Sequence, residues 1–289
     1  MNFRNVLVGL IASAVLAGIA VSCGGGSGGY DNTPAAPAAV ASGTGRGALV
    51  VDATTRDITG GLSFKGLSGT LTSAGIYQAA AGQNAATPII NLTVDRVNAV
   101  VPAGTPALTV DQFNALQAGN LYFLIKTSTF PNGEIRGQIT GMANLVAGLA
   151  PSIDAAQEGG TVVSSGTGRG VFVVDSSTRL IMAGLMTYAN LNNPNNLLNP
   201  ATAAHIHSSA QNNGVRVNFL PPLATLATPS DPDTAISSTD LTDFNNGNLY
   251  FNVHTGSYPG GEIRGAIVLT TTQQQVVRSA TLDTTQVVP

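Results

Sequence analysis

Three histidines are the residues of this chain whose type and spacing could hold a metal ion. They are His205, His207 and His254, and the 289-residue chain has no other histidine. Side chains two residues apart on a β-strand lie on one face, so His205 and His207 would share a face while Ile206 points to the other. Two imidazoles from one strand and a third from a neighbouring strand can form a His₃ zinc site that keeps a position open for water. The pattern therefore indicates a candidate site for zinc or copper.

The segment that carries His254 also alternates. Its apolar residues Leu249, Phe251 and Val253 are interleaved with polar ones. Since alternate side chains of a strand point to opposite faces, His254 is expected to face away from the core together with Tyr250 and Asn252. All three histidines would then lie on the polar side of a sheet.

The sequence contains an internal duplication. The segment SGTGRG at 42–47 returns at 165–170, an offset of 123 residues. The segments GNLYF at 119–123 and GEIRG at 133–137 return 128 residues later. The second copy therefore contains a net five extra residues, which surface loops tolerate. Two copies of more than 100 residues predict tandem domains, each with its own core.

Each copy has the pattern of an antiparallel β-domain. Thr109 and Gln112 have the spacing of a helix capping box, which predicts one short helix, with 240–246 as its equivalent in the second copy. A strand over 120–127, a turn containing Pro-Asn-Gly and a return strand over 134–139 predict a hairpin that closes the first copy. The expected fold class is all-β: two tandem antiparallel sandwiches or partly closed barrels, each with one short helix.

The repeated GEIRG motif places charged residues two apart on a strand: Glu134 with Arg136, and Glu262 with Arg264. Alternation predicts that the isoleucine between them is buried and that the charges form an exposed ladder. Such a pair could act as an acid and a base. Its presence in both copies favours a structural role instead.

The copies differ where the histidines lie, because the first copy has none. Its counterparts of His205, His207 and His254 are Gly75, Tyr77 and Lys126. A lysine thus replaces a histidine while the glutamate of GEIRG is kept, which favours a cross-strand cation–carboxylate pair as the alternative to a metal site. Any chemistry that needs histidine is confined to the second copy.

These motifs carry a resemblance to a known family. The motif series of the CHRD domain, named after chordin, is similar to AHIH at 204–207, NGV at 213–215, GNLYFNVHT at 247–255, Pro259 and GEIRG at 261–265. The resemblance implies an immunoglobulin-like β-sandwich or barrel with a faint likeness to copper-zinc superoxide dismutases, and it implies no established activity. A complete dismutase site is not expected, because that family uses more histidines and an acidic zinc ligand.

The resemblance also suggests the domain limits. The segment AAQE at 155–158 is similar to the opening strand of the family, so the second CHRD-like domain is expected over 144–270. The first, degenerate and without histidine, is expected over 42–142. Residues 271–289 are interpreted as a polar C-terminal tail.

The N-terminus is typical of an exported lipoprotein. Residues 1–22 contain one cation, Arg4, and a long uncharged run, which predicts a signal peptide. Cys23, the single cysteine, follows small residues and resembles a bacterial lipobox, so it is the expected lipidation site. Residues 23–41 are rich in Gly, Pro and Ala and predict a flexible tether. The expected location is the bacterial cell envelope, at the outer membrane or cell surface, with the lipid in a membrane.

Composition excludes several functions. The 12 basic and 15 acidic residues give a formal charge of −3 without a basic run, so nucleic acid is not an expected partner. No nucleophile elbow, phosphate loop or dinucleotide fingerprint is present. The expectation is therefore that the protein has no cofactor, with zinc or copper at the three histidines as the alternative. The leading hypothesis is a non-enzymatic lipoprotein whose two β-domains bind an envelope protein or polysaccharide or serve a structural role. The alternative is a metal-dependent envelope enzyme that works through the three histidines.

Overall fold

The computed structural model describes residues 40–160, 162–192, 201–219, 226–227, 231–270 and 275–288, and these residues are mostly β-strand. These described residues belong to one compact unit. The predicted signal peptide, Cys23 and nearly all of the tether lie outside the described residues. In the part that is described, no helix has the length and apolar character needed to cross a membrane.

The first copy is built from short strands and one helix, as the sequence predicts. Its elements are β1 Thr44–Asp52, β2 Ile58–Lys65, β3 Leu71–Gln78, β4 Ile90–Asn91, β5 Thr93–Asp95, β6 Asn98–Val100, α1 Val110–Gln117, β7 Leu121–Thr127 and β8 Ile135–Ile139.

The second copy repeats this order with one long strand in front of it. Its elements are β9 Leu145–Asp154, α2 Ala155–Glu158, β10 Thr167–Asp175, β11 Ile181–Ala189, β12 Ala201–Ser208, β13 Gly214–Asn218, β14 Leu226–Ala227, α3 Ser238–Asn245, β15 Leu249–Thr255, β16 Ile263–Ala266 and β17 Val268–Leu269; β18 Gln275–Leu282 follows. The segment 155–158, which was expected to belong to an opening strand, is the short helix α2, because the Asp154 side chain caps it at the end of β9.

The predicted helices form where capping residues allow. The Thr109 side chain accepts from the backbone N–H of Gln112, and the Gln112 side chain accepts from the backbone N–H of Thr109. Ser237 and Asp240 form the same box at α3, which begins two residues earlier than predicted. Each box satisfies backbone donors that the first turn of a helix leaves free.

The strands of the second copy form one antiparallel sheet in the order β13-β12-β15-β16-β9-β10-β11-β14, with β17 also paired to β9. The first copy forms two sheets, β4-β3-β7-β8 and β18-β1-β2-β6-β5. Isolated bridges join them, from Arg136 to Asp283 and from Thr140 to Ser279. The position that β9 occupies in the second copy is therefore occupied in the first copy by β18, from the other end of the chain.

The interpretation of 271–289 as a polar tail is wrong over 275–282. Residues 45–52 of β1 pair with β18 along their whole length, and Ala280 and Leu282 are buried in the core of the first copy. The segment is inconspicuous in the sequence because Gln275, Arg278, Ser279 and Thr281 interrupt its apolar residues. The first domain thus consists of residues from about 42–142 together with this C-terminal strand.

Each copy has its own core, and a third apolar cluster joins them. The shared cluster includes Val50 and Val100 of the first copy, and Val171, Val173 and Leu185 of the second. Faces of β1 and β2 pack on the sheet of β10 and β11, as in a β-sandwich. The two copies are therefore not independent bodies.

Charged residues reinforce this contact at its rim. Arg46 Nη2 lies 2.8 Å from Asp233 Oδ1, and Lys65 Nζ lies 3.1 Å from Asp231 Oδ1. Both cations belong to the first copy and both carboxylates to the second. These exposed pairs add specificity of alignment more than stability.

Candidate metal centre

The three histidines that the sequence suggests as metal ligands lie together on one face of the sheet of the second copy. Strands β12 and β15 are antiparallel neighbours, with His205 opposite Asn252, His207 opposite Tyr250 and Ala203 opposite His254. The apolar residues between them, including Ile206, pack in the core on the other face. The alternation therefore places the imidazoles outside the core, as the sequence predicts.

The ring nitrogens lie close enough to share one ion. His205 Nδ1 is 3.2 Å from His254 Nε2, and one nitrogen from each of the three rings lies within 4.8 Å of the others. Two nitrogens on a tetrahedral zinc, each about 2.0–2.1 Å from the metal, are about 3.3 Å apart. The spacing of His205 and His254 already matches that requirement.

Two backbone carbonyls fix which ring nitrogens are free. His207 Nδ1 lies 2.8 Å from the carbonyl oxygen of Asn213, and His254 Nδ1 lies 3.0 Å from that of Pro259. A carbonyl only accepts, so in the neutral rings each Nδ1 carries the proton and each Nε2 carries a lone pair. In metalloproteins, a histidine that binds a metal through one ring nitrogen commonly donates its other ring N–H to a carbonyl or carboxylate, which fixes the orientation of the ring.

The surroundings keep two of the imidazoles neutral. Burial lowers the pKa of His205 to about 4, with the neighbouring His254 and His207 as smaller causes. Burial also lowers the pKa of His207, although its hydrogen bond to Asn213 acts in the opposite direction. Neutral imidazole is the form that binds metals, so these rings need lose no proton at neutral pH.

An aromatic and a cation border the cluster. The ring of Tyr250 stacks on His207 with 5.2 Å between centroids, and its hydroxyl donates to Asn213 Oδ1. The guanidinium of Arg264 lies 3.4 Å from the centroid of Tyr250. These contacts hold the His207 ring between the Asn213 carbonyl and the tyrosine.

One acidic residue completes the face. The Glu158 carboxylate, at the end of α2, accepts a 2.6 Å hydrogen bond from Asn252 Nδ2. Burial raises the pKa of Glu158, against the opposing influence of Arg264 and His254. Glu158 and the backbone of Asn213 are the functional groups that the sequence-based prediction did not assign to the site.

The first copy has a different arrangement at the same place. Tyr77 stacks on Tyr122 with 5.4 Å between centroids, as His207 stacks on Tyr250. Lys126 Nζ lies 5.6 Å from the centroid of Tyr77. Among the described residues Lys126 makes no ion pair with Glu134, so the cross-strand cation–carboxylate alternative is wrong for this copy.

The GEIRG motif is not an exposed charged ladder. Glu134, Glu262 and Arg136 are all buried, and Arg264 is partly buried. Thr127 Oγ1 donates to Glu134 over 2.7 Å, and Thr255 Oγ1 donates to Glu262 over the same distance.

The other contacts of the motif explain why the prediction failed. Glu134 also accepts from Ser68, and Glu262 from Ser164 and the backbone N–H of Asn192, all of which lie far away in the sequence. Arg136 donates to Gln138 Oε1 and packs over the ring of Tyr122. These contacts are compatible with the predicted structural role, but they lie in the interior of each domain and not on its surface.

The fold and the site define a duplicated antiparallel β-domain protein with three clustered histidines in one copy. The family model of the CHRD domain matches residues 25–139 and 151–267, and the chain belongs to this family. Neither the curated proteins nor the solved structures contain a match to the chain.

Proposed function

We propose that this protein is a non-catalytic binding module whose second CHRD domain binds one transition-metal ion, zinc or copper, through His205, His207 and His254. The main support for the proposal is the environment of one ring nitrogen, His207 Nε2. This atom is buried and has no hydrogen-bond partner among the described residues. A buried lone pair without a donor costs free energy, and a metal ion at the cluster would satisfy it.

A hydrogen bond between histidines accounts for only part of the cluster. If His205 Nδ1 carries a proton, it can donate to His254 Nε2. That bond leaves His207 Nε2 unpartnered. An ion that replaces the shared proton would engage all three rings, which favours metal binding over a purely structural cluster.

Metal titration of the full-length protein tests the proposal. After treatment with a chelator, the protein should bind one Zn²⁺ or Cu²⁺ per chain in isothermal calorimetry. His254→Ala and His207→Ala should each remove stoichiometric binding. The matched control is Lys126→Ala, which truncates the equivalent position of the first copy and should leave binding unchanged. Absence of stoichiometric binding by the wild-type protein would reject the proposal.

We also propose that the module is anchored to the bacterial envelope by a lipid on Cys23. The uncharged run before Cys23 and the Gly-rich residues after it support this location. The anchored module would present its domains to an envelope protein or polysaccharide. Nucleic acid is not proposed as a partner, because the chain has a net negative charge and no basic run.

The anchor has its own test. Each buried CH₂ of a lipid chain contributes about 0.8 kcal/mol to membrane binding. Cys23→Ser should therefore move the protein from the detergent-extracted membrane fraction to a soluble fraction. Continued membrane association of this variant would argue against lipidation at Cys23.

A further inference from the structure

The two copies provide an internal comparison for the metal face. Where the first copy lacks the histidines, it keeps other residues of the face: Tyr122 corresponds to Tyr250, and Arg136 to Arg264. In both copies the arginine lies over the tyrosine ring. These shared residues belong to the domain scaffold, and the residues that change together with the histidines are candidates for the site.

Asn252 is one residue that changes. It lies opposite His205, and its counterpart Leu124 lies opposite Gly75. Asn252 is buried, and its Oδ1 has no hydrogen-bond partner among the described residues. A buried amide with an unsatisfied oxygen is a costly replacement for leucine, so packing alone does not explain it.

Glu158 is the second residue that changes. The same pair of residues identifies its counterpart: Asp154 ends β9 and Gln157 comes three residues later, while Asp283 follows β18 and Gln286 comes three residues later. In each, the aspartate accepts from the backbone N–H of the glutamine. The glutamine then accepts from a backbone N–H of the GEIRG strand, at Ala266 and Gln138 respectively. The residue after the glutamine is Glu158 in the second copy and Val287 in the first.

A glycine common to both hairpins shows that these pairs occupy the same place. A Cβ on Gly133 would meet Leu124 and Val287, and a Cβ on Gly261 would meet Asn252 and Glu158. Beside this glycine the first copy therefore has the apolar side chains of leucine and valine, where the second has a hydrogen-bonded amide and carboxylate. The polar pair is present only in the copy that has the histidines.

We propose that the carboxylate of Glu158, held by Asn252, provides negative charge beside the histidine centre. This carboxylate offsets the charge of the bound cation and strengthens its binding. This inference rests on the proposed function. Asn252 Nδ2 engages Glu158 Oε2, while Oε1 has no hydrogen-bond donor among the described residues.

The physical reason is charge. Three neutral imidazoles bring no negative charge to a divalent ion, and Arg264 adds a positive charge to the same face. In a partly desolvated site an uncompensated cation is costly, and a nearby carboxylate reduces that cost. The first copy holds no histidine cluster and has valine at this position.

The test compares the metal affinity of the full-length protein with that of Glu158→Gln. This variant keeps the shape of the side chain and removes its charge. Groups that hydrogen-bond to metal ligands typically contribute about 10–100-fold to metal affinity. Glu158 hydrogen-bonds to Asn252 rather than to a histidine, and we expect the loss of its charge to lower the affinity for Zn²⁺ by about tenfold, the low end of that range. Asp111→Asn, which removes an exposed charge from the first turn of α1, is the matched control and should keep wild-type affinity.

A second measurement distinguishes a direct effect of the Glu158 charge on metal binding from an effect of the substitution on folding. The thermal midpoint of the metal-free Glu158→Gln protein should match that of the metal-free wild type, and Asn252→Leu, which installs the residue of the first copy, should also bind Zn²⁺ more weakly. Wild-type binding with unchanged affinity in Glu158→Gln would overturn this inference and leave the metal site standing. A wild-type protein without stoichiometric metal would overturn both.

Discussion

At the scale of single residues, the buried glutamate of each GEIRG motif is the least expected feature. Glu134 has no accessible surface, yet it has no cationic partner among the described side chains. It is held by neutral donors, the backbone N–H and hydroxyl of Ser68 and the hydroxyl of Thr127. The carboxylate therefore links the hairpin of β7 and β8 to the loop that follows β2.

Glu134→Gln should destabilise the protein by about 1–3 kcal/mol, because an amide NH₂ would face donors that need an acceptor. Urea unfolding at pH 7 measures the loss, with Asp111→Asn as the exposed control. An unchanged midpoint would mean that the donors find water instead.

The same residue predicts a pH dependence. Burial raises the pKa of Glu134, but the hydrogen bonds from Ser68 and Thr127 outweigh burial and leave it below its ordinary value of 4.5. A carboxylate with a lowered pKa in the folded state contributes stability above the unfolded pKa, and this contribution is lost as the pH falls through the folded pKa. Thermal melts from pH 7 to pH 3 should therefore show a steeper decline below about pH 4.5 for the wild type than for Glu134→Gln. Parallel curves would contradict the assignment.

At the scale of elements, local signals predicted the structure well and non-local pairing was missed. The hairpin of β7 and β8 and the capping box of α1 depend on residues a few positions apart, which the sequence displays directly. The histidine face followed from the two-residue period of a strand. The burial of Glu134 and the role of Glu158 depend on residues brought together from distant segments, which strand periodicity does not reveal.

Strand β18 provides the element-scale prediction. Leu282 is fully buried in the core of the first domain, so Leu282→Ala should cost about 2–5 kcal/mol of unfolding free energy. Val268, on β17, which precedes β18 in the sequence, is 58% exposed, and Val268→Ala should change stability by less than about 0.5 kcal/mol. Equal effects of the two variants in denaturant unfolding would show that β18 does not contribute to the core.

At the scale of the whole molecule, the two domains depend on each other unequally. The second domain contains all strands of its sheet within 144–270, whereas the first needs β18 from beyond that range. The shared apolar cluster adds to this dependence. Two matches to a family model therefore do not correspond to two separable domains.

A fragment of residues 144–270 should unfold cooperatively, whereas a fragment of residues 40–143 should not, because it lacks the strand that joins its two sheets. Adding a peptide of residues 272–289 to the second fragment should restore a cooperative transition in circular dichroism. Cooperative unfolding of residues 40–143 alone would contradict this dependence.

The C-terminal position of β18 also sets the order in which the molecule is completed. A ribosome makes residues 275–282 after residues 144–270, so the domain whose sequence is translated first is finished after the domain translated second. A premature stop at residue 271 would leave both matched segments, 25–139 and 151–267, intact and still yield only one complete domain. The first domain is therefore complete only after the chain beyond the second domain has been synthesised.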